Sequence, residues 1–92
     1  MAAPRFTKSK WRLPPAGQLA VDEAVRGIAQ DPLSGAPKTG RLKGIRVEKF
    51  KVGPQQLLLA YQFDAKANRL DFLDVGVHEN FYRDLDRHLE GR

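Results

Sequence analysis

Ninety-two residues with 41% hydrophobic content and a formal net charge of +5 can bury one small core, so we expect a single domain over residues 1–92. No apolar run is long enough to cross a bilayer, and Pro14-Pro15 followed by Asp22 and Glu23 stands where a signal peptide would be apolar. We therefore expect a cytoplasmic protein without membrane contact, and the absence of cysteine and of carboxylates clustered around the two histidines predicts neither a metal nor another cofactor.

The positive charge is concentrated in the first half of the chain. Residues 1–51 carry eleven Lys and Arg against four Asp and Glu, a net +7, whereas residues 52–92 carry five against seven, a net −2. This distribution favours a polyanionic partner such as nucleic acid, or an acidic protein. The alternative is a solvated basic face that only keeps a small protein soluble.

The N-terminal segment, residues 1–16, is basic with apolar residues at intervals. Its pattern is compatible with a short amphipathic helix or with an irregular arm, and the sequence does not decide between them. The residues concerned are Arg5, Lys8, Lys10 and Arg12, with Phe6, Trp11 and Leu13 between them.

Residues 17–30 give the clearest helical pattern of the chain. Val21, Val25 and Ile28 recur at the spacing of one helical face, which predicts packing on a sheet. Asp31-Pro32 is expected to end the helix. Residues 31–41 hold two prolines and two glycines without periodicity, so we expect a loop there.

The next segment alternates with a period of two, as a β-strand does. Ile45 and Val47 lie on one phase of the alternation, but Phe50 and Val52 lie on the other. A β-bulge or a strong twist near Glu48-Lys49 would bring all four residues to one face, and we expect such a feature there.

The second half of the chain predicts two further strands and a helix. Residues 55–63 read as the central strand and residues 70–77 as its hairpin partner. Phe81, Leu85 and Leu89 then form one stripe of a C-terminal helix. The predicted fold class is α+β, with an N-terminal helix or helices packed on a twisted antiparallel sheet of three or more strands, followed by a short C-terminal helix.

The junction between the last strand and the last helix resembles a known protein family. Gly76, His78 and Tyr82 give the order Gly-x-His-x-x-x-aromatic, which is similar to the end of the RelE/ParE superfamily of bacterial toxins and most like the YafQ-type ribosome-dependent ribonucleases. The patterns of Arg46–Val52 and Leu57–Tyr61 fit the same superfamily, so the resemblance covers about residues 38–90. Superfamily members begin with a β-strand and a longer first helix, which Pro14-Pro15 would shorten here.

The resemblance implies roles for the basic residues around the first predicted strand. On a bent strand, several of them could contact successive phosphates, and in the superfamily they stabilise the scissile phosphate. It implies Arg46 as a catalytic cation and Lys43, Lys49, Lys51 and Arg83 as nucleic-acid-binding residues. The alternative is a charged edge strand that discourages aggregation. The full cluster is Lys38, Arg41, Lys43, Arg46, Lys49 and Lys51.

His78 and Tyr82 are the implied catalytic pair. Cleavage of RNA by its own 2′-hydroxyl needs a base, an acid and cations, and imidazole suits proton transfer near neutral pH. The alternative is that His78 caps the helix or lies on the surface, while Tyr82 packs on the core beside Phe81.

One departure from the superfamily keeps two functions open. Its ribonucleases carry an arginine at the start of the central strand, where this chain has Gln55-Gln56, so a cation would have to come from elsewhere, such as Arg46 or Arg83. The resemblance implies the toxin of a type II toxin-antitoxin system that pairs with a cognate antitoxin and cleaves mRNA on the ribosome as a metal-independent endoribonuclease. The alternative is a ParE-like inhibitor that binds DNA gyrase without catalysis, and a third possibility is a basic nucleic-acid-binding domain without catalysis.

Overall fold

The computed structural model describes residues 1–77 and 81–90. Within these residues the strands form one antiparallel sheet in the order β1-β2-β3-β4, the α+β architecture expected from the sequence. No helix in this part of the chain has both the length and the apolar composition to cross a membrane. The elements are α1 (Pro4–Trp11), α2 (Pro15–Gln30), β1 (Ala36–Pro37), a 3-10 turn (Gly40–Leu42), β2 (Arg46–Val52), β3 (Gln55–Asp64), β4 (Arg69–Val77) and α3 (Phe81–Glu90).

Helices cover both faces of the sheet. On one face, Phe6 of α1 and residues Val21 and Ile28 of α2 pack with Leu59 and Tyr61 of β3. On the other face, the apolar stripe of α3 packs with the residues that alternate with them. These are Phe81 and Leu85 of α3 together with Leu58 and Ala60 of β3, Val47 of β2 and Ile45 just before that strand. Because β3 is buried on both sides, its apolar run is continuous instead of alternating with polar residues.

The prediction of a bulge in β2 near Glu48-Lys49 is wrong. The pairing of β2 with β3 runs without interruption from Arg46 opposite Tyr61 to Val52 opposite Gln55. Val47 packs in the cluster under α3, whereas Phe50 packs in the cluster under α1 and α2. The change of phase therefore reflects burial on both faces over different parts of one regular strand, and no extra residue is needed to explain it.

The register shift of the sheet lies between β3 and β4 instead, at Ala60/Tyr61. Phe72 and Val75 are three residues apart, yet both pack in the cluster under α1 and α2. An extra residue in β4 is what allows this, and a bulge of this kind re-aims neighbouring side chains. The residues after the shift, Leu73 and Asp74, thus take different surroundings, the first under α3 and the second against α1.

The N-terminal segment is helical, and Pro14-Pro15 separates its helix from the next one. Pro15 occupies the start of α2, where its missing amide proton has no partner to lose and its fixed φ suits a helix. The side-chain amide of Gln18 donates to the Leu13 carbonyl at 2.8 Å and so ties α2 to the linker that follows α1. An ion pair of 2.6 Å between Lys10 and Asp22 joins the two helices directly.

Residues 1–3 lie along the outer edge of β4. The Ala3 amide donates to the Phe72 carbonyl at 2.9 Å, and the Phe72 amide donates to the Met1 carbonyl at 2.8 Å. This is a single parallel bridge, between Ala2 and Phe72, where the superfamily was expected to have a full strand. The helix that follows is short, as the two prolines predict.

A buried carboxylate fixes α1 on β4. Asp74 is 4% exposed, and its two oxygens accept three hydrogen bonds. Arg5 Nε donates to Oδ2 at 2.7 Å, Ser9 Oγ donates to Oδ1 at 2.7 Å, and the Val75 amide donates to Oδ1 at 2.8 Å. A buried charge is stable only when it is paired and hydrogen-bonded, so these contacts hold α1 at one position along the strand.

We predict that Asp74→Asn lowers the free energy of unfolding by about 2 kcal/mol, because hydrogen bonds to a charged group are worth about 1.5–3 kcal/mol and the new amide would meet the guanidinium without a charge. Asp71→Asn is the matched control on the same strand. Asp71 pairs with the exposed Arg69, so its loss should cost less than about 1 kcal/mol. Urea unfolding of both variants with unchanged m-values measures the difference, and equal midpoints would contradict the role given to Asp74.

A candidate nucleic-acid-binding site at the end of the sheet

The last residues of β2 and β4 meet the first residues of β3 at one end of the sheet. Lys49 of β2 lies opposite Leu58 of β3, which lies opposite Gly76 of β4. Lys51 lies opposite Gln56, one position further toward the turn between β2 and β3. Neighbouring strands are about 4.8 Å apart, so the backbones of Lys49 and Gly76 are about 10 Å apart. We call Lys49, Lys51, Gln56, Gly76 and Val77 the strand-end surface.

Both lysines of the strand-end surface are exposed on the α3 side of the sheet. Alternation along β2 puts Lys49 and Lys51 on the same face as Val47. Helix α3 covers the earlier residues of that face, Ile45 and Val47, each only 2% exposed, but it leaves the two lysines open to solvent. Two ammonium groups on alternate residues of one strand make a surface suited to a polyanion.

The strand leads from this surface to His78, which lies outside the described residues, so its catalytic role stays a prediction. Val77, the residue before it, is 39% exposed. The backbone of Gly76 passes close under α3, since a Cβ placed there would lie 3.4 Å from Cδ1 of Phe81. Helix α3 therefore begins directly over the end of β4.

Arg46 does not join the two lysines. Its partner across the sheet, Tyr61, packs under α2, so the Arg46 side chain starts from the face opposite to that of Lys49. Its guanidinium Nη1 donates to the Gly35 carbonyl at 2.8 Å and to the Leu33 carbonyl at 3.1 Å. The structure thus uses this cation to hold the loop after α2, and it keeps Arg46 apart from the strand-end surface.

Tyr61 also holds the loop after α2 in place. This ring is fully buried, and its hydroxyl donates to the Pro32 carbonyl at 2.8 Å and accepts from the Gly35 amide at 2.9 Å. A Cβ at Gly35 would approach the Tyr61 oxygen to 2.7 Å, so only glycine fits there. The loop that Arg46 contacts is therefore a fixed part of the fold.

The other basic residues of the predicted cluster lie elsewhere. Lys43 is exposed beyond the start of β2, where its neighbour Gly44 lines a cleft with Asp64 and Lys66, at the opposite end of the sheet from Lys51. Arg41 pairs with Asp86 of α3 at 3.2 Å. Arg83 is exposed on α3. The six basic residues grouped by sequence are thus divided among several places.

Tyr82 packs on the core beside Phe81, as the alternative interpretation expected. The two rings meet edge to face at a centroid distance of 5.6 Å and an angle of 81°. The ammonium group of Lys38 lies 4.8 Å from the centre of the Tyr82 ring, and the Tyr82 hydroxyl oxygen is buried. The catalytic role that the resemblance implies for Tyr82 stays a prediction.

Sequence reasoning gave no site role to helix α1, whose basic residues flank the strand end. A cleft of about 250 Å³ lies between α1, the end of β4 and the first turn of α3. Arg5, Ser9 and Arg12 line it on one side and Gly76 and Val77 on the other. The spacing of Arg5, Lys8 and Arg12 at i, i+3 and i+7 is the signal that could have identified this face.

Comparison with known families decides which scaffold this is. The family model described as the ParE-like toxin of type II bacterial toxin-antitoxin systems matches residues 1–86. The chain belongs to this family. No curated protein matches the toxin by sequence at a significant level.

Solved structures agree on the fold of this toxin. It is similar to the RelBE2 toxin-antitoxin complex of Mycobacterium tuberculosis, with a TM-score of 0.72 and 20% identity over 85% of this chain and 94% of that one. For the intact RelBE complex of E. coli the values are 0.68, 18%, 85% and 93%. For the isolated E. coli RelE toxin they are 0.65, 17%, 95% and 94%.

These matches confirm the RelE/ParE superfamily, the fold class and the assignment as a toxin of a type II toxin-antitoxin system. At identities of 17 to 20%, the solved structures show only that the fold is shared. The finer likeness to YafQ-type ribonucleases, drawn from Gly76, His78 and Tyr82, stays a prediction.

We predict that reversing the charges of Lys49 and Lys51 to Glu abolishes toxicity while the protein stays folded, because both side chains are exposed and neither supports the core. The measurement is growth after induction, together with circular dichroism of the purified variant. Reversal of Arg26 and Lys66, two exposed residues away from the strand end, is the control with the same change in net charge.

Reversal of Lys43 alone should have a smaller effect than reversal of Lys49 alone, since the structure puts Lys43 at the far end of the sheet. A folded Lys49→Glu/Lys51→Glu variant that is as toxic as the parent would reduce the two lysines to solubilising residues.

Proposed function

We propose that this toxin arrests growth by ribosome-dependent endonucleolytic cleavage of mRNA without a metal ion. The observation that carries the proposal is the pair of exposed lysines, Lys49 and Lys51, on one face of the sheet at the end where β4 leads into His78. Phosphoryl transfer in RNA needs cations beside a group that transfers protons, and these residues are of the required types.

The reaction would use the RNA's own 2′-hydroxyl as nucleophile. Its oxygen attacks the adjacent phosphorus while the bond from phosphorus to the 5′ oxygen breaks, which leaves a 2′,3′-cyclic phosphate and a 5′-hydroxyl end. Two protons move in this step, one from the 2′ oxygen and one to the 5′ oxygen; His78 is proposed to transfer one of them, and water exchanges the other. Lys49 and Lys51 would stabilise the charge that develops on the phosphate oxygens.

Tyr82 is proposed to act on this chemistry through Lys38 and the start of α3. Its ring lies under the Lys38 ammonium group and against Phe81, and Phe81 in turn lies over Gly76. The aromatic ring therefore holds the first turn of α3 over the strand end. This arrangement favours a positioning role over the catalytic role that the resemblance implies.

Inhibition of DNA gyrase without catalysis is the second candidate function. It is favoured by the ParE-like description of the matching family and by Gln55-Gln56 at the place where the ribonucleases carry an arginine. Gln56 lies in the same cross-strand position as Lys51, so the missing cation would have belonged to the strand-end surface itself. Arg46 cannot replace it from the opposite face, as its guanidinium is bound to Leu33 and Gly35.

We predict that His78→Ala slows transcript cleavage by on the order of 10²- to 10⁴-fold while RNA binding persists, because the substitution removes proton transfer without removing a cation of the strand end. Tyr82→Phe should change the cleavage rate far less, since the hydroxyl it removes is buried. Primer extension on a reporter transcript in the presence of ribosomes measures all three proteins, each purified away from its antitoxin.

His88→Ala, at the chain's other histidine, is the matched control and should cleave at the wild-type rate. Cleavage by His78→Ala at that same rate would leave the ribonuclease in place but refute the role of His78. A wild-type toxin that arrests growth and leaves the transcript intact would move gyrase inhibition to the front.

We also propose that a cognate antitoxin binds this toxin. The similar RelBE structures are toxin-antitoxin complexes, and the net +7 of residues 1–51 suits an acidic segment that orders as it binds. We expect co-expression with the antitoxin to restore growth and to yield a stable complex. High-yield expression of the toxin alone, with no growth defect, would count against both the partner and the toxicity.

A further inference from the structure

Helix α1 carries a basic stripe that its packing leaves open. Phe6 faces the core and Lys10 turns toward Asp22 of α2. Arg5, Lys8 and Arg12 share the remaining side at i, i+3 and i+7, and the sequence of α1 contains no acidic residue. At 1.5 Å per residue the stripe extends about 10 Å, long enough to meet more than one phosphate of a nucleic acid. We call these three residues the α1 stripe.

The α1 stripe borders two hollows on the surface, whose linings share Arg5, Ser9 and Arg12. One, of about 420 Å³, is lined by the stripe itself with Pro4 and Ser9. The other is the cleft of about 250 Å³ that continues past Arg5 and Arg12 to Gly76, Val77 and the first turn of α3. A strand of nucleic acid lying along α1 would therefore reach the strand-end surface without crossing a helix.

Two acidic residues also line the cleft. Asp74 lines it, but its carboxylate is buried and already bound by Arg5, Ser9 and the Val75 amide. Asp84 of α3 lies on the far rim. Lys8 and Arg12 are exposed, whereas the Arg5 side chain is only 36% exposed and anchored by Asp74. The stripe thus has two exposed cations and a third that is held by an ion pair.

We propose that the α1 stripe binds the sugar-phosphate backbone of the RNA on the side of β4 away from Lys49 and Lys51. This inference rests on the proposed function, because RNA at the strand end is what gives the stripe its ligand. The end of β4 then lies between two sets of cations, the stripe along α1 and the lysines of β2. Asp74 acts as a positioning residue that holds Arg5 and α1 beside the cleft.

RNA is favoured over an acidic segment of the antitoxin because one cleft is lined both by Arg5 and Arg12 of the stripe and by Gly76 and Val77 of the strand-end surface. Binding of the antitoxin alone would not require the stripe to adjoin Gly76 and Val77. The hollow along α1 is also lined mainly by the three cations of the stripe, with Pro4 and Ser9. Phosphate groups need only charge and hydrogen-bond donors, which guanidinium and ammonium groups supply.

The test measures how a short, uncleavable 2′-O-methyl oligoribonucleotide binds to Lys8→Gln/Arg12→Gln. Each phosphate contact to a single strand contributes about −0.7 to the slope of log affinity against log salt, so loss of two contacts should reduce the slope by about 1.4. At about 0.1 M salt the affinity should fall on the order of tenfold. Arg26→Gln/Lys66→Gln removes the same charges from exposed positions elsewhere and should match the wild type.

A stripe variant with the wild-type slope and affinity would overturn the inference, as would one that loses antitoxin binding and keeps its affinity for the oligonucleotide. The proposed function has its own readout, cleavage of a transcript on ribosomes by the wild-type toxin. If the slope changes but the wild-type toxin does not cleave the transcript, the stripe binds RNA and the proposed ribonuclease function is refuted. If the toxin cleaves the transcript but the slope is unchanged, the ribonuclease function stands and RNA binding by the stripe is refuted.

Discussion

The arrangement of this toxin depends on the hydrogen bonds that the carboxylate of Asp74 accepts. The carboxylate is a buried charge, and a buried charge is tolerated only where hydrogen-bond donors surround it. Two of its donors, Arg5 and Ser9, belong to α1, and the third belongs to its own strand. Together with the apolar contact of Phe6 with Phe72, at a centroid distance of 5.6 Å, this fixes the first helix on the edge strand. The cleft at the end of β4 exists because α1 is held there.

Because helices cover both faces of the sheet, some basic residues are bound within the fold and others remain exposed to solvent. Arg46 holds the loop after α2, Arg41 pairs with α3, and Lys38 lies over Tyr82, so these three cations serve the fold. The lysines of β2 beyond the reach of α3, and two cations of α1, extend into solvent around the strand end. A high net charge is therefore a poor guide to a binding site until the cations bound by the fold are set apart from the others.

The sequence predicted the elements whose signal is local. The stripe of Val21, Val25 and Ile28 gave helix α2 to within two residues of its start, and the stripe of Phe81, Leu85 and Leu89 gave α3. The phase change in β2 was misread because its cause is not local. Whether Ile45 and Val47 are buried depends on α3, which follows more than thirty residues later, and alternation within β2 carries no record of that helix.

The candidate site was predictable in part for a similar reason. Strand alternation put Lys49 and Lys51 on one face, and the chain order brought them to the end that leads to His78. The sequence does not show that the Arg46 guanidinium donates hydrogen bonds to the carbonyls of Leu33 and Gly35, because these contacts depend on the turn after α2. Nor could it place α1 beside β4, because that contact joins residues 65 to 69 positions apart through Asp74.

We propose that the exposed cations at the strand end serve RNA cleavage. The most direct test maps RNA 5′ ends and DNA breaks in the same cells shortly after the toxin is induced. We expect new 5′ ends within translated messages, intact chromosomal DNA and no SOS induction. Intact messages accompanied by DNA breaks and SOS induction would contradict this proposal and would assign the toxin to gyrase.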